Sequence, residues 1–309
     1  MFMKRAVNCG LVKADNMKQA ILLLSFGTPR QPSDLLPYLT SIRRGKIPTE
    51  RELKVLTARY DAIGQWDNKL LQTMGEEQKK TLKSLLAIDA MYLAYLHMPN
   101  SIEQAVESIA AAGYTSILCI VTSPFYSMVG TGAYERKLHS ILRAYPDISC
   151  EIIKSWWNRP QFFEYWRSQL MAVNPLQADT ACIFSAHSVP TSTVGSYEDE
   201  VISASNQIAK MVGLNHWYQA WQSAAPYGEW LGPTIESVIE QALIDGAKRI
   251  VCIPFGFVSD HVEILYDNDI ICRNIVENAG ATYERLPMPN GNTLFMEAMA
   301  KAIRERINK

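Results

Sequence analysis

Eight short apolar runs recur along the chain, and most of them fail to alternate polar with apolar residues. They are Ala20–Phe26, Met91–Leu96, Ser116–Thr122, Cys150–Ser155, Thr180–Ala186, Trp217–Gln222, Arg249–Phe255 and Thr282–Arg285. A strand with one face in water alternates. One that is apolar at successive positions is covered on both faces, as in a parallel sheet enclosed by helices. Helical periodicity fills the intervals, so the pattern predicts an α/β fold of strand–helix units linked by right-handed crossovers.

A length of 309 residues exceeds what one core comfortably serves. Four units followed by four more therefore predict two similar doubly wound domains, each a four-stranded parallel sheet flanked by helices. Their expected limits are residues 17–157 and 158–286, with a C-terminal helix within 287–309 packing back on them. Residues 1–16 read as a mobile leader or a start-site extension, because Met17 directly precedes the first structured run. Several helix boundaries are legible. Thr49 with Glu52, and Ser101 with Gln104, have capping-box spacing; Pro233 after Gly232 suits a first helical turn. Gly113, Gly213 and Gly280 stand where helices should stop.

Charge and hydropathy exclude several classes of function. The 30 Lys+Arg balance 31 Asp+Glu, for a formal charge of −1. That rules out the chain-wide basic surface that supplies most non-specific nucleic-acid affinity. No apolar run approaches the roughly 18–20 residues that span a bilayer, and Lys4 and Arg5 precede no apolar signal-peptide core. None of the six cysteines forms a Cys-x-x-Cys pair, and Cys119, Cys150, Cys182 and Cys252 fall in strand-like runs, where a thiol acts as a small hydrophobe. A reducing, cytoplasmic setting is expected.

In such folds ligands bind beyond the carboxyl ends of the strands, and between the domains when there are two. No glycine-rich loop there has dinucleotide or triphosphate spacing, and Gly-x-Ser-x-Gly is absent. The strand ends hold instead a histidine, His187, and an acid-rich helix start at Glu263, with Asp267 four residues on and so on the same helix face. Alone, His187 reads as a loop histidine satisfied by hydrogen bonds, and Glu263 as an acid complementing a helix dipole. Together, an imidazole and a carboxylate from two strand ends of one half suit a borderline divalent ion such as ferrous iron, and both accept protons. The surrounding tryptophans and tyrosines suit a flat, apolar ring.

Ser185-Ala186-His187-Ser188-Val189-Pro190, Trp221-Gln222-Ser223 with Trp230-Leu231-Gly232-Pro233, and Gly256 to Glu263 with Leu265-Tyr266-Asp267 resemble the signatures of ferrochelatases. Gly27-Thr28-Pro29, Ile42-Arg43-Arg44-Gly45 and Arg59 to Gly64 match as well. The resemblance covers nearly the whole chain from Met17, and is nearest to the short form of Gram-positive bacteria, which metallates coproporphyrin III. It implies a chelatase-like fold with the active site in the interdomain cleft, and no organic cofactor, with Fe(2+) and the porphyrin both as substrates. His187 and Glu263 would be the catalytic and metal-binding pair. Phe26, Arg43, Arg59, Tyr60, Asp67, Tyr134 and Trp230 would border the porphyrin, and Asp267 would extend a metal relay. A monomer is implied, with transient contacts to neighbouring haem-pathway enzymes. Protoporphyrin IX as the ring, and a haem-binding carrier without turnover, are the alternative readings.

The chain departs from the resemblance at three places. Phe26 stands where the Gram-positive form has a tyrosine that ligates product iron; Ile271 stands where an acidic row from Glu263 and Asp267 would continue; Asp67 replaces a serine. Of the remaining histidines, His97 reads as a solvated or hydrogen-bonded loop residue, and His139 and His216 as structural. Residues Asp34–Thr49 form either a flap over the cleft or an amphipathic helix broken at Pro37.

Overall fold

The computed structural model describes residues 18–66, 70–225 and 227–308. Residues 1–16, expected as a leader or start-site extension, and Asp67 lie outside the described residues. All eight expected strands form: β1 (Gln19–Ser25), β2 (Met91–Tyr95), β3 (Ser116–Val121), β4 (Ser149–Ile153), β5 (Thr180–His187), β6 (Trp217–Gln222), β7 (Arg249–Ile253) and β8 (Thr282–Arg285). They build two four-stranded sheets of matching order, β2-β1-β3-β4 and β6-β5-β7-β8, parallel throughout. The helices are α1 (Leu35–Ile42), α2 (Glu50–Ala62), α3 (Leu70–Leu86), α4 (Ser101–Ala111), α5 (Thr131–Leu142), α6 (Pro160–Ala172), α7 (Tyr197–Val212), α8 (Ile235–Ile244), α9 (Arg273–Asn278) and α10 (Thr293–Ile307).

The missing alternation in the strands has its cause in this layering. Successive residues of β1 enter different cores: Ile21 and Leu23 face the central cluster, while Ala20, Leu22 and Leu24 face an outer one with Ile102 and Val106 of α4. β5 repeats the arrangement, with Cys182 and Phe184 inward and Ala181 and Ile183 against Ile235 and Ile239 of α8. The central cluster is continuous between the sheets. Phe125, Trp156, Phe162, Phe255 and Phe295 meet there edge to face. The last helix returns to the first half: α10 packs on α3 and α6, and Arg304 Nη2 donates to the Leu85 carbonyl at 2.8 Å. A small fourth cluster joins Leu35 of α1, Tyr60 of α2 and Val262.

Local signals are borne out unevenly. Thr49 caps α2 reciprocally with Glu52, whose Oε2 accepts from Thr49 N at 2.7 Å. The cap expected at Ser101 is absent. Ser101 Oγ instead accepts from Tyr95 N at 3.0 Å, tying α4 to the end of β2, and Asn100 takes the cap position at φ +53° with no side-chain cap bond. Pro233 is not a helical residue either. Its carbonyl accepts from Trp221 N at 3.0 Å, which keeps it beside β6, and Thr234 caps α8 through Ser237 N. Pro37 does not break α1, because it lies in the first turn, where its missing N–H has no helical partner to lose. Gly213 ends α7 at φ +80°, a left-handed conformation that favours glycine.

The expected helix face from Glu263 needs correction. Glu263–Cys272 is a π-helix, with hydrogen bonds reaching five residues rather than four. One turn from Glu263 falls between Asp267 and Asn268, and the row then drifts from Ile271 towards Cys272, which is buried.

Candidate active site

Two strand ends are pressed together by a glycine. Gly256 N donates to the Ser185 carbonyl at 3.1 Å, and a Cβ at residue 256 would lie 2.4 Å from Ala186 Cβ. The close approach brings the segment after β7 alongside the last residue of β5, His187. There the two halves of the predicted pair meet: His187 Nε2 lies 3.5 Å from Glu263 Oε1. A second imidazole flanks the carboxylate, with His261 Nε2 3.4 Å from Glu263 Oε2.

Both rings are oriented by carbonyls. His187 Nδ1 bonds the Ser188 carbonyl and His261 Nδ1 the Ser259 carbonyl, so each Nδ1 carries the proton and each Nε2 faces the carboxylate. Tyr197 donates to the His187 carbonyl at 2.9 Å, fixing the strand end itself. Burial disfavours the charge on His187, but the attraction of Glu263 overrides it and lifts the imidazole to about 9. Burial likewise opposes ionisation of Glu263, and the two imidazoles hold it well below the usual carboxylate range. At neutral pH the pair is an imidazolium and a carboxylate. A cation arriving here displaces a proton and meets a ready anion.

Other expected residues surround the pair in different ways. Asp267 lies beyond it with both oxygens engaged: Oδ1 accepts from Arg59 Nη1 at 3.3 Å and Oδ2 from Ser223 Oγ at 3.0 Å. Burial raises its pKa against the pull of Arg59. The Arg59 guanidinium also lies over the Tyr266 ring at 5.0 Å. Tyr60 is buried, stacked on Trp66 at 5.6 Å and set edge-on to Tyr38 at 6.5 Å; burial pushes its phenol up to about 12. Phe26 is 44 % exposed, its ring edge-on to His97 at 4.4 Å and to Tyr38 at 6.2 Å.

Three expected contacts are otherwise occupied. The Arg43 guanidinium pairs with Glu52, the acid that also caps α2. Tyr134 is buried in the outer cluster with Leu22 and Val121. Trp230 Nε1 donates to the Tyr227 carbonyl at 2.8 Å, and its backbone bridges Pro190.

Sequence reasoning missed three contributors. His261 stands two residues before Glu263, a spacing that could have been weighed as a second imidazole. Ser223, at φ +62°, reaches Asp267 from the end of β6. Asn268 is fully buried and donates to Gln222 Oε1 at 3.2 Å, an oxygen that also accepts from Ser185 Oγ at 2.9 Å. This amide bridge ties the π-helix to β5 and β6. His97 is hydrogen-bonded, its Nδ1 2.9 Å from Ser41 Oγ, and His216 bonds the Tyr218 hydroxyl through Nε2 at 2.8 Å.

The family model for ferrochelatase matches residues 18–307. The coproporphyrin III ferrochelatase of Geobacillus kaustophilus (strain HTA426) is 33% identical over 302 residues, covering 93% of this chain and 95% of that protein. The coproporphyrin III ferrochelatase of Staphylococcus aureus (strain Mu50 / ATCC 700699) is 32% identical over 303 residues, covering 93% and 98%. Among solved structures, the sirohydrochlorin chelatase SirB of Bacillus subtilis subspecies spizizenii, in complex with cobalt, superposes with a TM-score of 0.58 at 10% identity, over 94% of this chain and 95% of that one. CbiX, a terminal enzyme of sirohaem biosynthesis, does so at 0.52 and 12% identity, over 93% and 98%. At such identities these structures speak for the fold, two parallel sheets of the chelatase type.

Proposed function

The chain belongs to the ferrochelatase family, and we propose that it inserts ferrous iron into coproporphyrin III in haem biosynthesis, with His187 and Glu263 as the working pair. The observation that carries this reading is the carboxylate of Glu263 held between two imidazoles, 3.5 Å from His187 Nε2 and 3.4 Å from His261 Nε2. Iron and porphyrin are both substrates, and no organic cofactor enters.

The chemistry calls for such a set. Insertion releases two pyrrole protons, so the site needs bases beside the metal rather than a nucleophile. Once the dication takes the place of the Nε2 proton, His187 is a neutral ring able to ligate. Glu263, kept ionised by its imidazoles and partly open to solvent, would then accept the pyrrole protons in turn and pass them to water. The ring nitrogens of a flat porphyrin point their lone pairs inward, and bending the ring exposes them. The grip for that distortion comes from remote contacts, of about 1–5 kcal/mol. Phe26 supplies an exposed apolar wall, and Arg43 and Arg59 meet the propionates by exchanging their present partners, Glu52 and Asp267; Tyr60, Tyr134 and Trp230 meet the ring only by leaving their present packing. Asp67 is proposed as a further porphyrin contact.

The test is anaerobic mixing with ferrous iron and coproporphyrin III, followed by loss of free-porphyrin fluorescence. Turnover supports the proposal. Turnover with protoporphyrin IX alone reassigns the ring, and stoichiometric binding without turnover makes the chain a carrier.

A further inference from the structure

A cluster of charge outside the His187–Glu263 pair grips both ends of the segment that carries Glu263. Arg285 ends β8, the outer strand of its sheet, and its side chain is only 13 % exposed. Its Nε and Nη2 donate to the two oxygens of Asp269 at 2.6 and 2.8 Å, the forked geometry that a guanidinium offers a carboxylate. Nη2 also lies 3.2 Å from Asp260 Oδ1, and Nη1 donates to the Leu286 carbonyl at 3.1 Å. Asp260 stands three residues before Glu263, and Asp269 six after it. Asn290 secures the first end further: its Oδ1 accepts from Asp260 N and its Nδ2 donates to Asp260 Oδ2, both at 2.9 Å.

Three successive side chains of the π-helix are therefore held from neighbouring strands. Asp267 is held by Ser223 at 3.0 Å, Asn268 by Gln222 at 3.2 Å, and Asp269 by Arg285. Successive residues of a helix point in different directions, so three holds in a row fix its rotation about its own axis. That rotation decides where the Glu263 carboxylate lies, 3.5 Å from His187 Nε2. Of the three partners, Arg285 is the charged one, and it also reaches back to Asp260. We propose that Arg285 is a positioning residue for iron insertion, fixing the segment 260–269 from β8 so that the Glu263 carboxylate is held against His187. The inference rests on the ferrochelatase reading of that pair. Arg285 contacts Asp260, Asp269 and the Leu286 carbonyl, so it acts through Glu263 rather than on metal or ring. Lysine would keep the charge but, as a point donor, could not fork Asp269 while reaching Asp260.

The experiment compares wild-type protein with Arg285→Lys, Asp269→Asn and a control, Arg304→Lys, which loosens the ion pair to Glu297 on α10 instead. Melting temperature is measured, with affinity for Co(2+) alone by visible absorption, and kcat and KM for coproporphyrin III with ferrous iron. Losing a group that orients a metal ligand costs about 10–100-fold in metal affinity or activity. Arg285→Lys should therefore lower Co(2+) affinity and kcat at least about tenfold, with KM for the ring within about threefold of wild type. Asp269→Asn keeps the side-chain shape and carries the same expectation should Arg285→Lys fail to fold. Arg304→Lys should lower the melting temperature and leave Co(2+) affinity and kcat within about threefold of wild type. Folded Arg285→Lys or Asp269→Asn protein with both quantities inside that threefold range, or the same loss in Arg304→Lys, overturns the proposal. Iron insertion by the wild type then leaves the ferrochelatase reading standing. Weakened Co(2+) binding in the variants of a wild type that inserts no iron keeps the positioning role and sinks that reading; a wild type that neither binds Co(2+) nor inserts iron sinks both.

Discussion

Adding one methyl group at residue 256 probes the contact that brings His187 to Glu263. A Cβ there would sit 2.4 Å from Ala186 Cβ and 2.7 Å from Ala186 Cα, whereas apolar carbons rest at about 3.5–4.0 Å. Either β5 or the segment after β7 must give way by about 1 Å. Residue 186 adjoins His187, and residue 256 leads into His261 and Glu263, so the displacement is carried straight into the 3.5 Å gap between the pair. A misplacement of about 1 Å in a catalytic constellation costs on the order of 10²-fold in rate, while overpacking of this kind costs about 1–3 kcal/mol in stability. Gly256→Ala should therefore remain folded, with a lowered melting temperature, and insert ferrous iron about 10²-fold more slowly. Anaerobic turnover read by porphyrin fluorescence, alongside thermal unfolding, measures both. Ala186→Gly in the same chain removes the nearer clash and should recover part of the rate. Turnover of Gly256→Ala within about threefold of wild type, below the loss expected of such a shift, would refute the claim that this contact sets the geometry of the pair.

The remaining predictions concern the titrating groups. His187→Ala should reduce turnover at least about 10²-fold, the lower range for a positioned acid–base group; retained activity removes His187 from the mechanism. Glu263→Gln takes away the main attraction that lifts His187, leaving only the Ser188 carbonyl and Asp267 against burial, so the imidazole should fall from about 9, as followed by NMR titration of the metal-free protein. His97 has the reverse sign. Its folded value, about 4, lies below the unfolded value, so its contribution to stability is complete above the unfolded pKa and is lost as pH falls towards about 4. His97→Gln should flatten that acid limb by on the order of 1–3 kcal/mol in chemical denaturation; an unchanged limb refutes the assignment.

Much of the architecture was legible because periodicity is local. The unalternating runs at Ile21–Leu24 and Ala181–Phe184 report two covered faces, and both occur as expected. Capping was legible at Thr49, where both partners lie in one turn. It misled at Ser101 and Pro233, whose hydrogen bonds go to Tyr95 and Trp221 on neighbouring strands. The row from Glu263 through Asp267 to residue 271 assumed an α-helical period, and the π-helix shifts it. Nothing in the apolar spacing of that segment marks the wider turn.

What the amino-acid order determined by itself is the set of strands, the enclosure of both sheet faces, and the placing of an imidazole and a carboxylate just past two strand ends. These follow from side-chain period and from where crossovers begin. The tertiary structure alone decided that His261 joins the pair, that Arg43 is held by Glu52 and Arg59 by Asp267, and that His97 packs edge-on to Phe26. Those contacts join segments far apart in the chain. Their ångström-scale distances depend on how closely packed elements approach, down to the absence of one Cβ at Gly256, and no local pattern encodes that separation.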